Sequence, residues 1–181
     1  GNFILIDDDK ICLTNLNRQI IATRKTIGKY KVEVAKERIV EINPNANVEI
    51  YQEFFMPESK ELLDKDVSYI VDAVDTVTAK IELVVRANKL NIPIISSMGT
   101  GNKFDPSKLT ITDIRKTSYD PLAKIIRKYV ISNHIKEKIM VVSSVEPPIK
   151  SNKVSSIAFV PASSGILISS YIINDILKNN H

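Results

Sequence analysis

The chain has 181 residues, of which 44% are hydrophobic and 25% are charged, and its formal net charge at pH 7 is +4. These values are typical of a soluble globular protein with a sizeable core, and the basic charge permits nucleic-acid or phosphate partners without requiring them. The single cysteine, Cys12, excludes an intramolecular disulfide and a multi-cysteine zinc site within one chain, and it suits a reducing cytoplasm.

The first half of the chain alternates short apolar runs, typical of strands, with the residue spacing of helices. Asn43 and Pro44 end the first helix, because a residue before proline avoids the helical region. The predicted elements are a buried strand at 2–7, a helix at 28–42, a strand at 47–51, a short helix at 57–65, a buried strand at 69–73, a helix at 78–90 and a strand at 92–96. This order indicates a mostly parallel sheet with helices on both faces.

The predicted fold class is therefore α/β, with a Rossmann-like sheet. Such a sheet normally opens with a strand and a glycine-rich turn that cradles phosphate at a helix N-terminus. This chain starts where the second strand is expected. We therefore expect the first β-strand and the Gly-rich loop to be missing from it.

The pattern changes after residue 105. Asp120 followed by Pro121 is an N-cap with proline at the first helical position, which predicts a basic amphipathic helix to about residue 133. The other elements are a half-exposed antiparallel strand at 109–114, strands at 138–143 and 156–160, and an apolar terminal helix at 165–177. That helix reads as buried and too short to span a bilayer, so we expect no membrane partner.

These elements suggest two functional parts of one domain. Residues 1–105 form a partial nucleotide-binding Rossmann-like region, and residues 106–181 form a smaller mixed α/β extension, an appended substrate or dimerisation subdomain.

Polar side chains cluster near the predicted carboxyl ends of the strands, where open α/β sheets bind ligands. Cations for a triphosphate and a carboxylate for Mg²⁺ are what adenylyl transfer requires. The candidates are Asp7, Asp9, Asn15, Arg18, Gln19, Lys31, Asp72 and Asp75. Each has a structural alternative: a strand-end aspartate forms turns, Lys31 is a solvated helix residue, and Arg18 pairs with Asp9.

The order of these motifs is more specific than any one of them. DDD at 7–9, LTNLNRQ at 13–19, GKYKVE at 28–33 and DAVDT at 72–76 resemble the ubiquitin-activating-enzyme-like adenylyltransferases. The resemblance implies an ATP site that includes Asp9. In it Asp7 binds ribose, Asn15, Arg18 and Lys31 contact the phosphates, Gln19 lies beside them, and Asp75 holds Mg²⁺. The residues expected to act catalytically are Arg18, Lys31 and Asp75.

The later motifs are similar to one branch of that family, the tRNA threonylcarbamoyladenosine dehydratases. They are GTGNKFDP at 99–106, IRKTS at 114–118, DPLAK at 120–124 and EPP at 146–148. The chain lacks the paired Cys-x-x-Cys motifs and the late cysteine of other branches, which favours this one. The resemblance implies ATP-dependent cyclisation of a modified adenosine in tRNA by a cytoplasmic homodimer.

Basic side chains in the second part are candidates for tRNA contact. They are Lys103, Arg115, Lys116, Lys124, Arg127 and Lys128. Lys124, Arg127 and Lys128 share one helix face, which is either a phosphate-binding surface or an ordinary solvated face. Tyr119 either stacks on a base or packs in the core.

Two other functions remain open. The first alternative is an adenylyltransferase that activates the C-terminal glycine of a ubiquitin-like or sulfur-carrier protein. The second is a non-catalytic dimerisation fragment. The first of these implies a carrier-protein or sulfur-relay partner. Dependence of pyrophosphate–ATP exchange on a small carrier protein, with indifference to tRNA, would identify it.

Overall fold

The computed structural model describes residues 1–59 and 66–179, and the chain forms two compact units, Gly1–Glu58 and Ser59–His181. Of the short helix predicted at 57–65, residues 60–65 lie outside the described residues, and Pro57 and Glu58 form a turn. The functional division predicted at residue 105 falls inside the second unit, where strands before and after it share one sheet.

The first unit is a single parallel strand–helix–strand crossover. Its strands are β1 (Asn2–Ile6) and β2 (Asn47–Tyr51), which pair in parallel, and its helix α1 (Lys31–Ile42) packs against both. Antiparallel strands need only a tight turn, whereas parallel strands need such a crossover, so the predicted parallel order is confirmed here. The apolar core formed by Ile11, Ala22 and Val34 fixes the long connection between β1 and α1.

The prediction that β1 is buried is wrong. Asn2 and Phe3 are exposed, and the last three residues of the strand are only half-buried. Among the described residues of this unit, β1 has one strand neighbour, β2, and one covering helix. A short apolar run predicts the strand, but its burial depends on the neighbours that the fold supplies.

Helix α1 ends at Ile42, as the Asn43–Pro44 sequence predicts. The backbone N–H of Asn43 donates to the carbonyl of Ile39, and the chain then turns out of the helix before Pro44. Val32 and Val34 are buried, but Ile42, which the predicted apolar stripe includes, is exposed. The helix is therefore anchored by its first turn.

The second unit contains a four-stranded mixed sheet in the order β3-β4-β6-β5. The strands are β3 (Ile70–Asp72), β4 (Ile94–Ser97), β5 (Leu109–Asp113) and β6 (Met140–Ser144), and the helices are α2 (Val77–Leu90), α3 (Pro121–Ser132) and α4 (Phe159–Asn179). β3, β4 and β6 are parallel, and β5 is antiparallel to β6. Both the parallel core and the antiparallel edge are confirmed.

Both faces of this sheet are covered. Consecutive residues of a strand point to opposite faces, and Ile94 and Ile95 in β4, like Val141 and Val142 in β6, are all buried. Helix α2 packs against β3 and β4, while α4 packs against β4, β5 and β6 through a cluster that includes Ile168. The prediction of helices on both faces is confirmed for this unit.

The terminal helix differs from its prediction in length and burial. Helix α4 has 21 residues, and among its side chains that the structure describes the buried ones are those of Val160, Ser164 and Ile168, so it is not a buried helix. Phe159–Lys178 has a mean hydropathy of 1.3 and is 17% buried, so by length and composition it is able to cross a membrane. One such helix is weak support for a span, since core helices of soluble proteins pass the same test.

The strand predicted at 156–160 is also wrong. Its last two residues, Phe159 and Val160, begin α4, and the three residues before them form no strand. Pro161 lies in the first turn of α4, where the missing N–H of proline costs no helical hydrogen bond. The helix therefore starts six residues before the predicted start at residue 165.

Candidate functional site

The carboxyl end of β1 places Asp7 at a turn. Its backbone N–H donates to the carbonyl of Tyr51 at 3.2 Å and so extends the β1–β2 pairing. Its Oδ1 accepts from the backbone N–H of Asp9 at 2.8 Å. Burial raises the pKa of Asp7, against the lowering effect of that hydrogen bond and of Lys31. Asp7 therefore shapes the turn and keeps its second oxygen directed at a cation.

That cation is Lys31, the first residue of α1. Its Nζ lies 2.5 Å from Oδ2 of Asp9 and 3.7 Å from Oδ2 of Asp7, and its side chain is 15% exposed. Its backbone N–H donates to the carbonyl of Asp9 at 2.9 Å, which fixes the start of the helix over this turn. Lys31 is therefore part of a charged cluster and not a solvated helix residue.

The turn that follows β1 holds Asn15, Arg18 and Gln19 together. Asn15 is buried, and its Oδ1 accepts from the backbone N–H of Cys12 at 3.0 Å. Nη1 of Arg18 donates to the carbonyl of Thr14 at 2.8 Å, so Arg18 pairs with the turn and not with Asp9. Nη1 also donates to Oδ1 of Asn17 at 3.0 Å, and Arg18 is half-buried.

Gln19 has an incomplete set of hydrogen bonds. Its backbone N–H donates to the carbonyl of Asn15 at 3.0 Å, but its buried Oε1 has no partner among the described residues. A buried amide oxygen without a donor is costly. Gln19 therefore has the capacity to accept a hydrogen bond from a ligand.

Asp75 belongs to the second unit and lies after β3, just before α2. It is exposed, and its Oδ1 is 3.4 Å from the hydroxyl of Thr76, the N-cap residue of α2. An exposed carboxylate at the carboxyl end of a parallel strand is able to bind a cation. Asp75 therefore stays a candidate for binding Mg²⁺.

Asp72, the other acid of this segment, is committed to a partner that the sequence analysis missed. Nζ of Lys80 donates to its two carboxylate oxygens at 3.0 and 3.1 Å and to the carbonyl of Ser97 at 2.7 Å, and both side chains are buried. Lys80 lies in the helical stripe of Leu83, Val84 and Ala87, all buried. A lysine on an apolar stripe was the available signal, since a buried cation needs a buried partner.

Three of the predicted tRNA contacts are occupied inside the second unit. Lys103 is 2% exposed, its Nζ donates to the carbonyl of Ser144 at 3.3 Å, and burial lowers its pKa. Arg115 donates to the carboxylate of Asp113 and to the carbonyls of two residues near β6. Arg127 donates to the carbonyl and hydroxyl of Thr117 at 2.6 and 2.7 Å. We exclude Lys103 from any RNA-facing surface because it is buried.

The other three are exposed. Lys116 precedes α3, and Lys124 and Lys128 lie one turn apart on it. One face of α3 lines a groove of about 320 Å³, formed by Lys124, Arg127, Lys128, Ile131 and Ser132. Lys124, Arg127 and Lys128 therefore share one face of α3, as predicted, and line the same groove.

The chain belongs to the ThiF family, whose sequence model matches residues 1–177. It is 37% identical to the tRNA threonylcarbamoyladenosine dehydratase of Bacillus subtilis, over 99% of this chain and 78% of that protein. It is 38% identical to the Escherichia coli enzyme of the same name, over 74% of this chain and 50% of that protein.

Solved structures give the same result. The Escherichia coli tRNA N6-threonylcarbamoyladenosine dehydratase TcdA is similar to this chain in its complexes with AMP and with ATP, with TM-scores of 0.92 and 0.93. In both, sequence identity is 32% over 99% of this chain and 77% of the solved chain. The predicted fold class and family resemblance are confirmed.

Proposed function

We propose that this chain is the greater part of an ATP-dependent tRNA threonylcarbamoyladenosine dehydratase. The observation that carries the proposal is the similarity, over 99% of the chain, to enzymes of that name and to a structure of one with ATP bound. Sequence identities of 37% and 32% extend through both compact units, so they concern the whole chain and not the nucleotide region alone.

The residues of the first unit suit the binding of ATP as a substrate. A carboxylate such as Asp7 at a strand end suits the ribose hydroxyls, and Lys31 and Arg18 supply positive charge for phosphates. Asn15 and Gln19 lie on the same turn as Arg18, and Oε1 of Gln19, which no described residue contacts as a donor, needs one. We assign Asp7, Asp9, Asn15, Arg18, Gln19 and Lys31 to the ATP site.

Asp75 is the residue that we assign to Mg²⁺. It is exposed and lies after a parallel strand, and Mg²⁺ takes only one or two carboxylates while keeping several waters. When bound, the ion would neutralise charge on the phosphates of ATP. Asp72 is excluded from this role because Lys80 occupies both of its oxygens.

The proposed chemistry has two steps. The threonyl carboxylate of the modified adenosine attacks the α-phosphorus of ATP, and pyrophosphate leaves that phosphorus, which gives an acyl adenylate. An internal nitrogen then attacks the acyl carbon and loses its proton, and AMP leaves as the ring closes. Overall the base loses one water, whose oxygen ends in AMP. Both reacting groups belong to one molecule, so proximity lowers the barrier and the enzyme needs no nucleophile.

The groove on α3 is the surface that we assign to tRNA. Lys116, Lys124 and Lys128 are exposed, and Arg127 lines the groove while holding Thr117. Concave basic surfaces suit the phosphate backbone, whose neutralisation supplies most of the non-specific affinity. We place this surface in the 106–181 subdomain and the binding of the nucleotide in the region 1–105.

A homodimer is the assembly that we expect. The outer face of α4 exposes the apolar residues Phe159, Ile166, Ile173 and Leu177. Apolar surface of this kind is typical of an interface. Replacing Ile173 by Glu would then give a monomer in sedimentation velocity, and an unchanged dimer would exclude this face.

We place the enzyme in the cytoplasm and not in a membrane.

The test is direct conversion of the modified base. Incubating the protein with ATP and tRNA that carries threonylcarbamoyladenosine, followed by nucleoside mass spectrometry, is expected to give a product lighter by one water. AMP in place of ATP is the control and is expected to give no product. Absence of product with ATP would contradict the proposal. Pyrophosphate exchange that requires a ubiquitin-like or sulfur-carrier protein would instead support the adenylyltransferase alternative.

A further inference from the structure

Tyr119 combines a strained backbone with an exposed aromatic ring. Its φ is +54°, in the left-handed region that residues other than glycine, asparagine and aspartate seldom adopt. Its side chain is 61% exposed, so it does not pack in the core. Packing of the ring in the core therefore does not explain the positive φ of Tyr119.

The loop around Tyr119 is fixed at both of its ends. On one side, Arg127 holds the carbonyl and hydroxyl of Thr117. On the other side, Asp120 caps α3 through the N–H groups of Leu122 and Ala123, at 2.9 and 3.0 Å. A residue stays in such a conformation only when its surroundings determine it, and such residues concentrate at functional sites.

The carboxylate of Asp120, the residue after Tyr119, also contacts the ligand-binding edge of the sheet. Oδ2 of Asp120 accepts from the backbone N–H of Gly99 at 2.8 Å, and Gly99 lies two residues beyond Ser97, the last residue of β4. A Cβ at Gly99 would lie 3.1 Å from Oδ1 of Asp120, so a larger residue there would require the Asp120 side chain to shift. Ligands of open α/β sheets bind at that edge.

Charge identifies the kind of ligand that fits here. Lys116 is exposed three residues before Tyr119, and the basic groove of α3 begins at Lys124, five residues after it. A short segment that carries an exposed aromatic ring and exposed lysines suits unpaired bases and the backbone that carries them.

We propose that Tyr119 stacks on an unpaired nucleobase of the RNA substrate next to the base that reacts. The proposal rests on the proposed function, because it takes the substrate to be tRNA. Tyr119 binds and positions the substrate, and it takes no part in the chemical steps.

Three substitutions separate a binding role from a structural one. Tyr119→Phe keeps the ring and is expected to leave the Kd for tRNA within about twofold. Tyr119→Leu loses the ring and is expected to raise the Kd roughly tenfold, the effect of one lost base–aromatic stack. Tyr119→Gly loses the ring but suits a positive φ, so it is expected to weaken binding similarly while raising Tm.

A matched control is Asn91→Gly. Asn91 also has a positive φ of 54°, at the end of α2, and carries no ring. This change is expected to leave tRNA affinity unaltered. All variants are compared by tRNA binding, by Tm and by sedimentation velocity.

The outcomes are distinct. If the wild-type chain neither binds nor converts threonylcarbamoyladenosine-bearing tRNA, the proposed function fails. If it does both and Tyr119→Leu binds as tightly, the stacking proposal alone is overturned. A change in self-association without a change in tRNA affinity would assign Tyr119 to a protein interface and would also overturn it.

Discussion

Two lysine–aspartate pairs, one in each compact unit, share their chemistry and differ in their surroundings. In the pair of Lys31 with Asp9 the side chains are 15% and 66% exposed, whereas in the pair of Lys80 with Asp72 they are 1% and 0% exposed. Lys80 also donates to the carbonyl of Ser97, so its hydrogen bonds are completed within the protein.

The difference decides which pair is able to exchange its partner. Water screens an exposed pair, so its net contribution to stability is small and a ligand can replace one member. A buried pair has lost its hydration, and removing one member leaves an uncompensated charge in the interior. The first pair is therefore suited to binding, and the second holds β3 and α2 together.

The largest expected effect follows the removal of Lys80. Replacing Lys80 by Met leaves the carboxylate of Asp72 buried without its cation, which costs about 3–5 kcal/mol. Urea unfolding followed by circular dichroism measures this loss.

The matched control is the double variant Lys80→Met/Asp72→Leu. It removes both charges and is expected to recover most of the lost stability, because an apolar pair of similar volume replaces a buried ion pair at little cost. A loss below about 1 kcal/mol in the single variant would show that the pair is hydrated in solution.

The second effect is on activity. Replacing Lys31 by Ala is expected to reduce dehydratase turnover roughly a hundredfold, because it removes a charge that meets the phosphates of ATP, and to lower stability by less than about 1 kcal/mol. Steady-state assays and urea unfolding measure the two. For Lys80 in the buried pair, by contrast, the main expected effect is the loss of stability.

Lys29→Ala is the control for this change. Lys29 lies two residues earlier and pairs with Glu37 at 3.6 Å, with both side chains exposed. It is expected to keep nearly full activity. If both variants lose activity equally, Lys31 has no specific role in the site.

Much of the fold was predictable because its signals are local. Asp120 and Pro121 mark the start of α3, and the structure shows Asp120 capping that helix. Alternating side chains predicted the antiparallel β5. Such features depend on residues within a few positions of one another, so the sequence carries them directly.

What could not be predicted depends on distant neighbours. The exposure of β1 and of most of α4 follows from how many elements cover them, which no local pattern reports. Lys80 and Asp72 are only eight residues apart, but their pairing joins a helix to a strand, so the local pattern shows a lysine on an apolar stripe and does not show its partner. The burial of Lys103 was missed for the same reason.

A third kind of lysine sharpens the comparison further. Lys124 and Lys128 are exposed, and no described residue forms an ion pair with either. Reversing both to Glu is expected to weaken tRNA binding by more than about tenfold and to reduce the slope of log K against log salt by about 1.5 to 2. Filter binding over a salt series measures both quantities.

The control reverses two exposed lysines elsewhere, Lys36 and Lys89, one in each unit. It changes the net charge equally. An equal loss of affinity in the control would mean that tRNA responds to total charge and not to the groove on α3.

The smallest effect concerns the titration of Asp7. Burial raises its pKa above the ordinary value of 3.8, so the folded chain binds this proton more tightly than the unfolded chain. The stability that it contributes is present below pH 3.8 and is lost as pH rises through the raised pKa. Asp7→Asn removes that loss, so the stability of this variant relative to wild type is expected to improve as pH rises from about 3.5 to 6.

Urea unfolding of both proteins across this range measures the difference, and Asp8→Asn is the control for a carboxylate beside it whose side chain is exposed. The effect is small because Asp7 is partly exposed and water screens its charge. A relative stability that stays constant or falls with pH would mean that Lys31 outweighs burial at Asp7. Asp7 would then be stabilised in its ionised form by Lys31. The pair of Lys31 with Asp9 would resemble the buried pair of Lys80 with Asp72 more closely than its exposure indicates.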